Sequence, residues 1–104
     1  MKQLQALCLG DRFTGAGLAR LKELPDLRRL VLHYSKVRDA DLAHLKGLPK
    51  LRELFLRCTG VTDEGLVHLK ELMDLETLWL DRTQVTDAGI KELKKALSRL
   101  KVID

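Results

Sequence analysis

The sequence predicts an α/β solenoid: four strand–helix units and a terminal fifth strand, with a parallel sheet on the concave face and helices on the convex face. Two observations carry this. A phrase of 24 residues recurs along the chain, and within each phrase the apolar spacing switches from two to three. The segments LRRLVLHYSKVRDADLAHLKGLPK, LRELFLRCTGVTDEGLVHLKELMD and LETLWLDRTQVTDAGIKELKKALSR open at Leu27, Leu51 and Leu75. An earlier copy, shorter by one loop residue, opens at Leu4, and LKVID opens a partial copy at Leu100. The expected organisation is a single domain, 1–104, with repeats at about 4–26, 27–50, 51–74, 75–99 and a partial 100–104.

Each phrase begins L-x-x-L-x-L. The pairs Leu30/Leu32, Leu54/Leu56 and Leu78/Leu80 alternate with period two, which marks a short strand with one face buried. About ten residues further on, Leu18/Leu21/Leu24, Leu42/Leu45/Leu48 and Leu66/Leu69/Leu72 form one helical stripe. Thr14, Thr62 and Thr86 stand where a helix needs an N-cap, and Asp63 and Asp87 favour its positive end. In the second repeat Arg38-Asp39 replaces Thr-Asp, so its cap is expected at Asp39 or lost. Pro25 and Pro49 stop two of the helices. Gly65 and Gly89 are expected to let one turn pack closely on the next. A lone strand–helix unit cannot bury its leucines. Stacked neighbours can, at about 4.8 Å per strand.

Composition excludes several classes. Hydrophobic residues are 45% and charged residues 33%, so the chain is neither disordered nor membrane-embedded. The net charge of +4 is spread among 19 basic and 15 acidic residues rather than clustered, which disfavours nucleic acid. No signal peptide or transmembrane run stands in the sequence, and two cysteines, Cys8 and Cys58, make no disulfide framework. The expected location is therefore cytoplasmic.

The phrase L-x-x-L-x-L-x-x-T-x-V-T-D-x-G-L-x-x-L resembles the leucine-rich repeat, in its cysteine-containing subclass, familiar from F-box-linked proteins and from planctomycete-like bacterial ones. The matching residues are Thr59, Val61-Thr62-Asp63 and Gly65, then Thr83, Val85-Thr86-Asp87 and Gly89. Two departures stand out: the first copy lacks a loop residue, and Ser35 or Arg12/Asp11 occupy the place of the buried threonine. The resemblance implies that outward strand positions line the partner-binding surface.

Strand alternation sorts those positions into columns. One holds Gln5, Arg28, Arg52, Glu76 and Lys101; the next Ala6, Arg29, Glu53, Thr77 and Val102; a third Cys8, Val31, Phe55 and Trp79. A fourth holds Gly10, His33, Arg57 and Asp81, with Tyr34, Cys58 and Arg82 at its edge. Of the four aromatics only Phe13 aligns with a core position, that of Val37, Val61 and Val85. Tyr34, Phe55 and Trp79 face outward amid arginines, a combination common in binding hot spots. The expected function is non-enzymatic protein binding through Arg29, Val31, His33, Tyr34, Glu53, Phe55, Arg57, Trp79 and Asp81, the partner carrying apolar and acidic groups. Cross-strand pairing that merely stabilises the sheet is the competing reading of the same column.

No catalytic residue, metal, cofactor, membrane or small-molecule substrate is expected. His44 and His68 recur at one helical position without accompanying ligands, and Cys58 beside His33 would lie on an open sheet with no water-excluding pocket. The runner-up is a structural or self-associating module. It rests on the apolar, uncapped first repeat (Leu4 to Leu9, Leu18, Leu21); alternatively the chain is the C-terminal part of a longer array whose upstream part carries the N-terminal cap.

Overall fold

A computed structural model describes residues 4–10 and 12–104. Five strands, β1 (Ala6–Cys8), β2 (Arg29–Val31), β3 (Glu53–Phe55), β4 (Thr77–Trp79) and β5 (Lys101–Ile103), form one parallel sheet in sequence order. The register brings Leu7, Leu30, Leu54, Leu78 and Val102 into one inward row. Leu30, Leu54 and Leu78 are wholly buried, while Leu7 and Val102 at the two ends are partly covered. Phe13 likewise packs against the core from the first repeat, beside Leu9 and Leu24.

The register corrects the last sequence column. Lys101 pairs with Thr77, and Val102 turns inward beside Leu78 rather than outward. Measured strand to strand, the fourth repeat is as long as the second and third: Arg29 to Glu53, Glu53 to Thr77 and Thr77 to Lys101 are each 24 residues. The turn bond of Leu100 N to Leu97 O matches that of Leu75 N to Leu72 O, 25 residues earlier, but β5 starts directly after Leu100, one residue sooner than β4 does after Leu75.

The helices are mostly 3-10. Gly15–Glu23 and Asp39–Gly47 are 3-10 throughout; the third repeat has one α turn, α1 (Asp63–Leu66), followed by 3-10 Val67–Glu71. Only α2 (Asp87–Ala96) is a sustained α-helix. Leucine spacing explains the difference. Leu42, Leu45 and Leu48 recur every third residue, which keeps one stripe inward at 3.0 residues per turn. Ile90, Leu93 and Leu97 step by three and then four, the α-helical spacing.

The caps also differ from expectation. Thr62 and Thr86 do accept helix N–H bonds, from Glu64 and Gly89, both at 3.3 Å. Thr14 makes no side-chain cap bond. The N-cap of the second helix is Arg38, not Asp39, and its N–H donates to Asp41 Oδ2 at 2.9 Å. Asp39 instead reaches across to the next repeat. Its carboxylate accepts from Thr62 N at 2.7 Å and Thr62 Oγ1 at 2.5 Å, and Asp63 holds Thr86 in the same way at 2.7 and 2.5 Å. These bonds hold the Asp63 carboxyl below its ordinary range. Gly65 and Gly89 sit against those carboxylates, where a Cβ would overlap Asp39 and Asp63. The glycines thus make room for the clasp that joins one repeat to the next.

Strands β2, β3 and β4 exit through left-handed residues, Tyr34 (φ 61°), Cys58 (φ 58°) and Arg82 (φ 62°), at a cost of roughly 1–2 kcal/mol apiece. The next residue tightens the turn: Thr59 Oγ1 donates to Leu56 O at 2.7 Å and Thr83 Oγ1 to Leu80 O at 2.6 Å. Ser35 occupies this slot in the second repeat, 5% exposed, and its hydroxyl meets no partner among the described residues. Asp11, the other departure noted above, lies outside the described residues. Ser35→Thr adds a methyl that fixes the side-chain rotamer and aims the hydroxyl at Leu32 O. A gain of about 1 kcal/mol is expected, read as a rise of about 5 °C in melting temperature.

Candidate functional site: the outward face of the sheet

The register aligns Ala6, Arg29, Glu53, Thr77 and Lys101 in one outward row and Cys8, Val31, Phe55, Trp79 and Ile103 in the next. Ile103 is a member that the sequence columns miss, through the same one-residue offset that misplaced Val102. Backbone bonds carry the pairing beyond the strands, from Leu32 N to Phe55 O (2.8 Å) and from Tyr34 N to Arg57 O (2.9 Å). They bring His33, Arg57 and Asp81 alongside one another. All nine expected site residues therefore lie on one continuous surface.

Their roles within it differ. Phe55 points outward yet is only 8% exposed. Its ring stacks on Trp79 with centroids 3.8 Å apart and planes 8° from parallel, and the His33 ring meets it edge-on at 5.3 Å. The Arg29 guanidinium lies 5.0 Å from the ring centroid, within cation–π range. Phe55 is thus enclosed by its neighbours, and the stabilising cross-strand reading applies to it directly. Trp79 and Val31 remain half-buried, and Tyr34 is 55% exposed.

Charges on the face are partly settled. Arg57 Nε lies 2.7 Å from Asp81 Oδ2, and Arg52 Nε lies 4.0 Å from Glu76 Oε2. Glu53 is half-buried beside Arg29 in register, with no ion pair within 4 Å among the described residues. His33 Nδ1 accepts the Arg57 backbone N–H at 3.1 Å, so the imidazole sits neutral with its other nitrogen protonated. Burial holds its pKa below 6.5, the Arg57 charge acts in the same direction, and Asp81 opposes both.

A proton on Nδ1 would break the bond to Arg57 N–H. Because the folded-state pKa is the lower one, the stabilisation is present above pH 6.5 and is lost as pH falls through the folded value. Denaturant midpoints are expected to fall between about pH 7 and pH 5, and to fall less in His33→Asn, whose side-chain oxygen accepts the same N–H without titrating. Identical pH profiles for the two proteins would contradict this role.

No family model matches the chain, and no curated protein matches it in sequence. Solved structures do match. An internalin from Listeria monocytogenes aligns over 99% of this chain and 35% of its own, with TM-score 0.63 and 22% identity. A Leptospira interrogans LRR protein aligns over 97% of this chain and 25% of its own, with TM-score 0.68 and 20% identity. The actin-binding site 2 structure of leiomodin-1 aligns over 98% of this chain and 70% of its own, with TM-score 0.72 and 17% identity. The chain thus spans about a third or less of the two bacterial proteins. These likenesses, the parallel sheet and the 24-residue register define the fold as a leucine-rich-repeat solenoid.

Proposed function

We propose that this chain is a non-enzymatic protein-binding module whose partner lies on the concave outward face of the sheet. The observation that carries the reading is the surface itself. Half-buried Val31 and Trp79, exposed Tyr34 and four arginines share one rigid face, while the face's other aromatic, Phe55, is fixed beneath them. Hot spots of protein interfaces favour such aromatic and arginine groups on a preformed support. The fold likeness to a structure described as an actin-binding site supports a protein partner in general terms. Arg29, Val31, His33, Tyr34, Glu53, Arg57, Trp79 and Asp81 are the proposed contacts, and Phe55, the ninth expected site residue, supports Trp79 from beneath.

The rival surface lies on the helical side and its loops, where Val67 and Met73 are the other large exposed apolar residues. Affinity capture from the native cell separates the two. Tyr34→Ala with Trp79→Ala is expected to lose the captured partner while its circular dichroism stays folded. Val67→Ser with Met73→Ser is expected to retain it. The reverse pattern would move the site to the helical side.

A further inference from the structure

Resting on the concave-face reading, we infer that the β1–β2 half of the sheet is its anchoring point, and that the partner presents a carboxylate beside an aliphatic side chain. The four arginines of the face are not equivalent. Arg52 and Arg57 of the third repeat face acids of the fourth, Glu76 at 4.0 Å and Asp81 at 2.7 Å. Arg28 and Arg29 of the second repeat have no ion pair within 4 Å among the described residues. The neighbouring strand gives them only Gln5, Ala6, Leu7 and Cys8, none of which carries a negative charge. Glu53 on the other side partly offsets Arg29 without pairing to it. Arg28 Nε and Arg57 Nε are both buried without a hydrogen-bond acceptor among the described residues, so the facing acids, not these atoms, set the two pairs of arginines apart.

Beside these guanidinium groups the outward rows taper. Where later repeats put Glu53 or Thr77, and Phe55 or Trp79, β1 puts Ala6 and Cys8. The missing bulk leaves a groove of about 290 Å³ lined by Ala6, Leu7, Cys8, Arg29 and Val31. That is just below the size of small-molecule sites, and it suits an aliphatic side chain of a peptide. Phe55 holds the Arg29 guanidinium over its ring, so little side-chain entropy is lost when a carboxylate arrives. At the other end of the face Phe55 and Trp79 stack on each other, and Arg52 and Arg57 face Glu76 and Asp81, while Lys101 has no ion pair among the described residues. The arginines with no facing acid among the described residues are therefore at the β1–β2 end. A phosphate backbone would answer the arginines but not the apolar groove.

The test uses the ¹⁵N-labelled chain and two capped peptides, Ser-Glu-Leu-Glu-Leu-Ser and Ser-Gln-Leu-Gln-Leu-Ser. The acidic peptide is expected to shift the amides of Ala6–Cys8 and Arg29–Val31 and to bind about tenfold more tightly than the amide peptide. Its affinity should fall in about 0.5 M salt, and by about tenfold in Arg28→Gln with Arg29→Gln. Ala6→Leu, which fills the groove at an exposed position without changing charge, should block binding, whereas Val67→Ser, on the helical side, should change it little. Equal affinity for the two peptides, or tighter binding of an oligothymidylate strand, would overturn the inference. Shifts centred on Trp79 and Asp81 would overturn this anchoring point alone and leave the concave-face reading standing. Shifts confined to the helical side would overturn both.

Discussion

Gly65→Ala is expected to cost about 2 kcal/mol, even though alanine is the better helix former. The added Cβ would lie 2.5 Å from Asp39 Oδ1, 3.0 Å from Leu42 Cδ1 and 3.2 Å from Asp39 Cα. Leu42 is wholly buried and cannot give way freely, so the carboxylate must move, and its bonds to Thr62 N and Oγ1 break with it. Asp39→Ala removes the same two bonds directly and is expected to cost about 2–3 kcal/mol, since the acceptor is ionised and Thr62 N is left part-buried without a partner. The two losses are one loss seen from opposite sides. In the Asp39→Ala background the closest obstacle to a Cβ is gone, so adding Gly65→Ala should cost less than about 1 kcal/mol. A double-mutant cycle from urea unfolding should therefore show coupling of at least about 1 kcal/mol. Additive losses would mean that glycine and aspartate act independently and that no inter-repeat clasp exists. Either single change is a large fraction of the roughly 5–15 kcal/mol that holds a domain of this size.

That clasp marks the boundary of what the residues disclose by themselves. The leucine rows were legible because a buried row repeats its own spacing, and the strand register follows from Leu30, Leu54 and Leu78 with no further information. The 3-10 character was also present, in the strict three-residue step of Leu42, Leu45 and Leu48, although a helical stripe is ordinarily read as α. Asp39 was misassigned because a local reading gives an acid at a helix start to its own helix. The partner it holds is 23 residues away, in the next turn of the solenoid. Val102 was placed on the wrong side because the sequence aligns Leu100 with Leu75, a step of 25, whereas the strands keep a step of 24 from Thr77 to Lys101. The expected site residues do share one face. What the alternation could not show is that Phe55 would be enclosed while Arg28 and Arg29 meet no acid among the described residues, since enclosure depends on which neighbouring side chains lean together.

Phe55→Ala should accordingly act on the fold more than on recognition. The ring packs against Trp79, His33 and Arg29 at once and keeps only 8% of its surface exposed, so its removal is expected to cost about 3 kcal/mol, near the low end for a buried aromatic. Phe55→Leu keeps most of the apolar area but loses the stack and the cation–π contact; about 1–1.5 kcal/mol is expected. Trp79→Ala removes a half-buried ring from the same stack and should cost about 1–2 kcal/mol, leaving the domain folded at room temperature. The order of the three in urea unfolding is the decisive observation. Trp79 is the only tryptophan, so its emission also reports the stack directly and should shift toward the solvated value in Phe55→Ala. If Phe55→Ala cost less than Trp79→Ala, the pair would not be a structural ladder. Both rings would then be free for a partner, and Arg28 and Arg29 would lose their claim as the anchoring point of the face.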